Sequence, residues 1–127
     1  MTPDEMITLV ERYIDAYNRM NVDEMLLTVH PDVEFKNVSA GVVNASTAGI
    51  SELRALAQQS LSLFTERQQV IESFQWEGCR ALVSVAFRAV VANDLPNGLK
   101  RAQVLNLTGR SEFEFHDGAI SRITDIS

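Results

Sequence analysis

The sequence predicts an α+β domain in which helices at the front of the chain pack on one face of a sheet formed mainly by the rest. Two patterns carry this prediction. Apolar residues recur with helical period in the first part of the chain, and apolar and polar residues alternate from residue 68 onward, as in half-buried antiparallel strands. With 127 residues, the chain is long enough for one domain and too short for two, so we expect a single domain over residues 1–127.

The last part of the chain, Gly109 to Ser127, predicts the hairpin around which the sheet is organised. Alternation places Ser111, Phe113 and Phe115 on one face of its first strand. A turn at His116-Asp117-Gly118 follows, because glycine tolerates positive φ and aspartate bonds to its own backbone. The second strand then carries Ile123 and Asp125 on one face, so a carboxylate shares the side of a core residue.

Three helices are expected before this sheet. Thr2 and Glu5 have the spacing of a capping box at the start of the first helix. A short second helix begins at Asp23 and ends before His30-Pro31-Asp32, because the residue before proline avoids helical geometry. The third is predicted over Ile50–Thr65. The apolar stripe of the first helix consists of Met6, Leu9, Val10, Tyr13, Ile14 and Tyr17.

The strands expected from alternation are Val33–Asn37, Gln68–Trp76, Arg80–Asn93 and Leu99–Phe115, followed by the final strand of the hairpin. Residues 39–49 are small and polar and predict a loop at the mouth of a cavity. Gly109 is a candidate β-bulge. A strongly curved sheet closed by a long helix would form a cone with an apolar interior, which is a favourable place for a small-molecule pocket.

Composition excludes several classes of function. The net charge of −6 disfavours a nucleic-acid surface. No leader or membrane-spanning run is visible, and the single cysteine, Cys79, is typical of a reducing compartment, so we expect a cytoplasmic protein without nucleic-acid or membrane partners. Two histidines far apart in sequence and the lack of a glycine-rich phosphate loop predict no metal and no cofactor.

The chain resembles the nuclear-transport-factor-2-like superfamily, specifically its SnoaL-like branch. The resemblance rests on ERYIDAYNRMNVDEM (residues 11–25), HPDVEF (30–35) and GRSEFEFHDGAISRITD (109–125). It implies a cystatin-like α+β barrel or cone, in which a strongly curved antiparallel or mixed sheet is wrapped by three N-terminal helices. It also implies a dimer through the outer face of the sheet. Members differ in activity, so the fold does not select one.

Ketosteroid isomerase, one member, uses a carboxylate base, a tyrosine and a protonated aspartate. Tyr13 matches the position of that tyrosine. Asn37 stands where the base is found, and an amide cannot take up a proton at neutral pH, so this reaction is disfavoured. Ser111 falls near the position of the protonated aspartate.

Limonene epoxide hydrolase resembles the chain at its terminal strand, where a catalytic aspartate matches Asp125. Its arginine and second aspartate, two residues apart on an inner strand, have no inward match among Val83, Val85 and Phe87. Arg88 points outward by alternation. SnoaL-type polyketide cyclases use an acidic residue in the cavity to abstract an acidic C–H, and Asp125 can do so if burial raises its pKa.

We therefore predict a pocket for a small apolar or aromatic molecule, with an isomerase-, cyclase- or hydrolase-type acid/base reaction as one reading. Asp125 would be the acid/base or polar anchor, with Tyr13 and Asn37 as hydrogen-bond partners. A purely structural role is the alternative for Asp125, in which it accepts hydrogen bonds from Tyr13 or Asn37 and holds the cone together. The competing class of function is a non-catalytic ligand-binding or association module, which Asn37 in the usual base position favours. The predicted ligand-binding residues are Tyr17, Phe35, Phe64, Trp76, Phe87, Gln103, Ser111 and Phe113.

The outer face of the predicted sheet carries apolar residues within a polar surround. A patch of this kind suits a subunit interface, so we expect a homodimer through it. Its members are Leu82, Ala86, Val90, Ala102 and Val104.

Overall fold

A computed structural model describes residues 1–127 and contains three helices and one six-stranded sheet. The predicted α+β class, with helices against a curved mixed sheet, is confirmed. The helices are α1 (Pro3–Asn18), α2 (Val22–Leu26) and α3 (Ile50–Ser60). The strands are β1 (Val29–Ser39), β2 (Val42–Ala48), β3 (Phe64–Glu77), β4 (Arg80–Val91), β5 (Val104–His116) and β6 (Ala119–Ile126).

The strand order is β2-β1-β6-β5-β4-β3. Strands β3 to β6 form an antiparallel meander, and β1 then pairs with β6 in parallel. The C-terminal hairpin therefore lies in the middle of the sheet, as predicted. Its turn has positive φ at both Asp117 and Gly118, the geometry that favours Asp-Gly in a two-residue hairpin.

The start of α1 also follows the prediction. The Thr2 hydroxyl accepts a hydrogen bond from the Glu5 amide, and the Glu5 carboxylate accepts one from the Thr2 amide. This capping box satisfies two of the amides that a helix start leaves free. The buried face of α1 contains Met6, Leu9, Val10, Tyr13, Ile14 and Ala16.

The core lies between α1 and the central strands. Phe113, Ile120 and Ile123 are among the largest side chains that are fully buried, and Tyr13 makes an edge-to-face contact with Phe113 at a centroid distance of 5.9 Å. The buried residues on the inward side of β4 are Ala81, Val83, Val85, Ala89 and Val91. None of the helices is both long enough and apolar enough to span a bilayer.

Strand register aligns functional residues across the centre of the sheet. Asn37 on β1, Asp125 on β6 and Ser111 on β5 are successive partners in one row. The adjacent row of Phe35, Ile123 and Phe113 is apolar. A polar row therefore borders the core on the inner face.

The prediction of a loop over residues 39–49 is wrong, because Val42–Ala48 forms β2 and pairs antiparallel with β1. A tight turn with positive φ at Ala40 and Gly41 connects the two strands. The small residues of β2 give a weak strand pattern, and its pairing with β1 supplies the stability that propensity lacks.

The predicted third helix is too long. It ends at Ser60, and β3 begins at Phe64, inside the range assigned to the helix. The apolar side chains of Leu61 and Phe64 continue the helical stripe in the sequence. Phe64 instead pairs with Val91 on β4, so tertiary strand pairing overrides the local pattern.

Strand β1 begins at Val29, four residues before the predicted start, and contains His30-Pro31-Asp32. Val29 pairs with Ile120, and the register shifts between Val29 and Glu34. Proline is tolerated in a strand at such an irregularity because its missing N–H removes no ladder hydrogen bond.

Strand β5 begins at Val104, whereas the prediction placed its start at Leu99. The preceding residues form a turn in which the Gln103 amide donates to the Lys100 carbonyl and the Gln103 side chain accepts from the Lys100 amide. Gln103 is therefore an exposed turn residue.

The predicted bulge at Gly109 is absent, since β4 and β5 keep one register from Ala81 to Val90. Glycine is required there for another reason. A Cβ at position 109 would lie 2.8 Å from the carbonyl oxygen of Ile126, which is closer than van der Waals contact permits.

Backbone hydrogen bonds hold Ser127, which follows β6, against β1. The Ser127 amide donates to the Val38 carbonyl, and the Ala40 amide donates to the Ser127 carbonyl. These bonds extend the β1–β6 pairing beyond Asp125 to the last residue.

We expect Gly109→Ala to lower the free energy of unfolding by roughly 1–3 kcal/mol, because the added methyl group forces β5 and β6 apart. Urea unfolding followed by circular dichroism measures the change. Asn106→Ala, on an exposed part of the same strand, is the control and should change the value by less than about 0.5 kcal/mol. Equal stability of the two variants would contradict the close approach.

Candidate functional site

Two hollows meet at Asp125. The first, which we call the main hollow, has a volume of about 240 Å³. The second, the side hollow, has a volume of about 200 Å³. They share Tyr17, Asn37, Gln69 and Asp125. The main hollow is otherwise lined mostly by apolar side chains, among them Met25, Phe35, Leu53, Leu56 and Ala57.

Asp125 is the one carboxylate that lines either hollow. Its Oδ1 atom accepts a hydrogen bond of 2.6 Å from the Ser111 hydroxyl. Burial raises the pKa of Asp125 from 3.8 to about 6, and the hydrogen bond from Ser111 opposes this rise. The Asp125 residue as a whole is half-buried, and it lines both hollows.

The side-chain donor to Asp125 is Ser111, and the hydrogen bonds expected from Tyr13 or Asn37 to this carboxylate are not formed. The Asn37 amide group donates to Oδ1 of Asn44 at 2.7 Å. The neighbouring strand β2 thus orients Asn37 at the edge of both hollows.

Tyr13 and Tyr17 are one turn apart on α1 and both line the main hollow. Burial raises the pKa of Tyr13, with smaller contributions from the Asp125 carboxylate and Tyr17. Burial also raises the pKa of Tyr17, and the positive charge of Arg67 opposes that rise. Both phenols therefore stay protonated at neutral pH and can act as hydrogen-bond donors.

Arg67 is a buried member of the site that the sequence analysis missed. It lines the main hollow from β3 and is only 6% exposed. Its Nε–H donates to the Tyr17 carbonyl at 3.0 Å, and its guanidinium carbon lies 3.7 Å from the centroid of the Tyr17 ring. Its Nη2 atom is buried without a hydrogen-bond partner.

The end of α1 is fixed against β3 by a pair of hydrogen bonds. The Asn18 side chain donates to the Gln69 carbonyl at 3.0 Å and accepts from the Gln69 amide at 2.7 Å. Because Gln69 is two residues from Arg67 on the same face of the strand, this contact also places Arg67 beneath Tyr17.

Only some of the residues predicted from sequence come together at the hollows. Asp125, Tyr13, Asn37, Tyr17 and Phe35 line the main hollow, and Ser111 and Phe87 line the side hollow. The remaining four, Phe64, Trp76, Gln103 and Phe113, line neither.

Each of these four side chains has another environment. Phe113 is fully buried in the core, and Phe64 makes an edge-to-face contact with Phe87. Trp76 is 38% exposed and stacks on Phe74. Gln103 closes the turn before β5. Alternation correctly predicted that Phe113 faces inward. The inner face also contains core positions, and Phe113 packs in the core instead of lining a hollow.

An arginine and a second residue two positions further on do line the main hollow, from β3. They are Arg67 and Gln69. The epoxide-hydrolase pattern was expected on β4, but Arg88 of that strand lies on the outer face, 3.7 Å from Glu66. The second position holds an amide, so the paired carboxylate of that pattern is missing.

The two histidines, expected to be distant, are close in space. Their ring centroids are 5.6 Å apart, and Asp117 is close enough for the three to surround an ion. Nδ1 of His30, however, accepts a hydrogen bond of 3.0 Å from the Asp32 amide. Neutral His30 then carries its proton on Nε2, so neither ring nitrogen offers a free lone pair.

Comparison with known proteins assigns the chain to a family. The profile of the SnoaL-like domain family matches residues 10–123. The chain belongs to this family. No curated protein matches the sequence.

Solved structures share the fold of this SnoaL-like protein. A proposed polyketide cyclase from Xanthomonas campestris pv. campestris is 24% identical, with a TM-score of 0.79 over 98% of this chain and 90% of that one. The TerC protein, co-crystallised with polyporic acid, is 16% identical, with a TM-score of 0.78 over 96% and 90%. An LEH-like epoxide hydrolase from Mycobacterium tuberculosis is 16% identical, with a TM-score of 0.75 over 97% and 82%.

The raised pKa of Asp125 predicts a specific pH dependence of stability. Between about pH 4 and pH 6 the folded protein holds a proton on Asp125 that the unfolded chain releases. By linkage, the free energy of unfolding then falls as pH rises through this window, by up to about 3 kcal/mol. Asp125→Asn removes the titration and keeps an acceptor for Ser111.

Urea unfolding at pH 4 and pH 7.5 tests this. The stability of wild type relative to Asp125→Asn should fall over that interval. Asp32→Asn, which replaces an exposed carboxylate, is the control: the stability of wild type relative to this variant should stay constant over the interval, because both proteins contain Asp125. A constant difference between wild type and Asp125→Asn would mean that the Asp125 carboxyl ionises as in water.

Proposed function

We propose that this SnoaL-like protein is a cofactor-independent enzyme that moves a proton on an apolar or aromatic small molecule, with Asp125 as the acid/base group. The observation that carries the proposal is a buried carboxyl group, with a pKa raised to about 6, at the junction of two hollows. A base with a pKa near neutrality combines useful basicity with a large ionised fraction.

The reaction class that fits is abstraction of a proton from carbon next to a carbonyl group. An oxygen of the Asp125 carboxylate takes the proton, and the C–H electron pair becomes the C=C bond of an enolate, whose charge moves to the carbonyl oxygen. Return of the proton from Asp125 to another carbon isomerises the molecule. Alternatively, the enolate carbon attacks an internal carbonyl carbon and closes a ring, and the alkoxide formed from that carbonyl oxygen takes the proton from Asp125. Both outcomes balance without an oxidant or a metal.

Four side chains would support this step. The hydrogen bond from Ser111 orients the Asp125 carboxylate and stabilises its ionised form. The protonated hydroxyl groups of Tyr13 and Tyr17 make no hydrogen bond to other residues of the chain and line the main hollow, so either can donate to the enolate oxygen. Asn37 would contribute a polar contact at the edge.

The second candidate is a binding module without catalysis. The amides at Asn37 and Gln69 favour it, since the first stands where a base is found in ketosteroid isomerase and the second replaces a carboxylate of the epoxide-hydrolase pattern. In that case Asp125 would serve only as a polar anchor. The two candidates differ in whether proton transfer depends on ionisation of Asp125.

Exchange of carbon-bound hydrogen for deuterium tests the proposal with 2-tetralone and chroman-4-one, two ketones with the size and apolarity that the main hollow suits. We expect wild type to accelerate exchange in D₂O, with a rate that rises with pH through an apparent pKa near 6. Asp125→Asn should lower the enzymatic rate at least about a hundredfold. NMR follows the loss of the proton signal.

Asp32→Asn is again the control and should retain the full rate. If wild type and Asp125→Asn exchange these ketones equally fast while both bind them, the module reading replaces the enzyme.

We also propose a homodimer through the outer face of the sheet. Val70 and Val104 are about half exposed there, at 49% and 46%, and the predicted patch residues Leu82, Ala86 and Val90 are half-buried beside them. Helix α1 contacts β3 through Arg67 and Gln69, which lie on the face of the strand opposite to Val70. This apolar surface would be covered by a second copy.

Sedimentation velocity at micromolar concentration should show a dimer for wild type and a monomer for Val104→Glu, because a buried unpaired charge opposes the contact. Leu27→Glu is the control, since Leu27 is 73% exposed at the end of α2 and lies outside the patch. A monomeric wild type would count against the interface.

A further inference from the structure

Arg67 carries a buried positive charge for which the chain provides no counter-ion. None of the ion pairs in the structure includes it. Its sole hydrogen bond runs from Nε to the Tyr17 carbonyl. The two terminal nitrogens make no bond within the chain, and Nη2 is closed off from solvent.

The guanidinium group is nevertheless held in place. Its contact with the Tyr17 ring and the Nε hydrogen bond fix its plane on one side. The hydrogen-bond pair between Asn18 and Gln69 fixes the strand that carries it. An arginine that is positioned in this way loses little side-chain entropy when it binds a partner.

An unpaired buried charge is costly, and proteins normally place a carboxylate beside it. Arg67 lines the main hollow, so a molecule in that hollow can supply the missing anion. A carboxylate matches the donors of a guanidinium group and forms charge-assisted hydrogen bonds with it.

We propose that Arg67 binds the carboxylate of the small molecule in the main hollow, so that the ligand is an apolar or aromatic carboxylic acid. This inference rests on the proposed function for the ligand-filled hollow and narrows the class of substrate.

The positions of the charges give the ligand a direction. Arg67 and Asp125 line the same hollow without forming an ion pair. The charge of Asp125 raises the pKa of Tyr13 and Tyr17, and the charge of Arg67 lowers it. A carboxylate beside Asp125 would be repelled by it when Asp125 is ionised. The carboxylate end therefore binds at Arg67, and the carbon that loses a proton faces Asp125.

Isothermal titration at pH 7.5 with 2-naphthoate and its neutral analogue 2-naphthalenemethanol tests the inference. Wild type should bind the carboxylate at least about tenfold more tightly than the alcohol, the size of one charge-assisted hydrogen bond. Arg67→Met should remove this preference and keep binding of the alcohol. Arg88→Gln, which removes an exposed arginine on the outer face, is the control and should keep the preference.

Equal binding of the two compounds by wild type, failure of wild type to bind naphthoate at millimolar concentration, or a preference that survives in Arg67→Met would each overturn the inference. If Arg67→Met does not fold, the wild-type protein decides. The NMR signal of the Arg67 Nε–H group should shift on addition of naphthoate and stay in place on addition of the alcohol. An equal shift with both compounds, or no shift with naphthoate, overturns the inference.

Asp125→Asn separates this inference from the proposed reaction. That variant should bind naphthoate at least as tightly as wild type, because a negative charge has left the hollow. If wild type shows no preference for the carboxylate, only the role of Arg67 is contradicted. If ketone exchange does not depend on Asp125, only the proposed reaction is contradicted.

Discussion

The pairing of β6 between β1 and β5 is the constraint on which the rest of the structure depends. One neighbour is parallel and the other antiparallel, and together they fix the register of every residue on the central strand. Asp125 is thereby placed beside Asn37 on one side and Ser111 on the other. Shifting β6 by a single residue would turn Asp125 to the outer face and Ile126 into the core. The apolar row that includes Ile123 opposes such a shift, so core packing and the position of the carboxylate are specified together.

The main hollow combines two charged groups that the protein leaves apart. Asp125 is stabilised by one hydroxyl group, and Arg67 by one carbonyl group and an aromatic ring. Were the two to form an ion pair with each other, Asp125 would keep a low pKa and Arg67 would have no use for an external anion. Their separation is therefore a condition for both proposed roles. Tyr13 and Tyr17, on consecutive turns of α1, occupy the same wall of the hollow.

The sequence allowed the central hairpin to be predicted because period-two alternation and Asp117-Gly118 agree on the same structure, and Asp125 follows from that register. The site on β3 was missed for a local reason. Leu61 and Phe64 extend the helical stripe, which hid the start of the strand. Strict alternation counted from Phe64 would place Arg67 and Gln69 on the face opposite to Phe64, and it is the register shift between Phe64 and Glu66 that turns them inward. An arginine on the inner face of a strand is rare enough to mark a site. The packing role of Phe113 and the exposed position of Trp76 depend on contacts between distant strands, which alternation alone does not contain.

The hydrogen bonds of Ser127 with β1 have a practical consequence for anyone who prepares this protein. Any peptide fused after Ser127 leaves the fold two residues beyond Asp125 and at the wall of the side hollow. A bulky peptide attached there would obstruct access to the carboxylate. Met1, which is 48% exposed and lines neither hollow, is the better point of attachment for a handle or a surface linker.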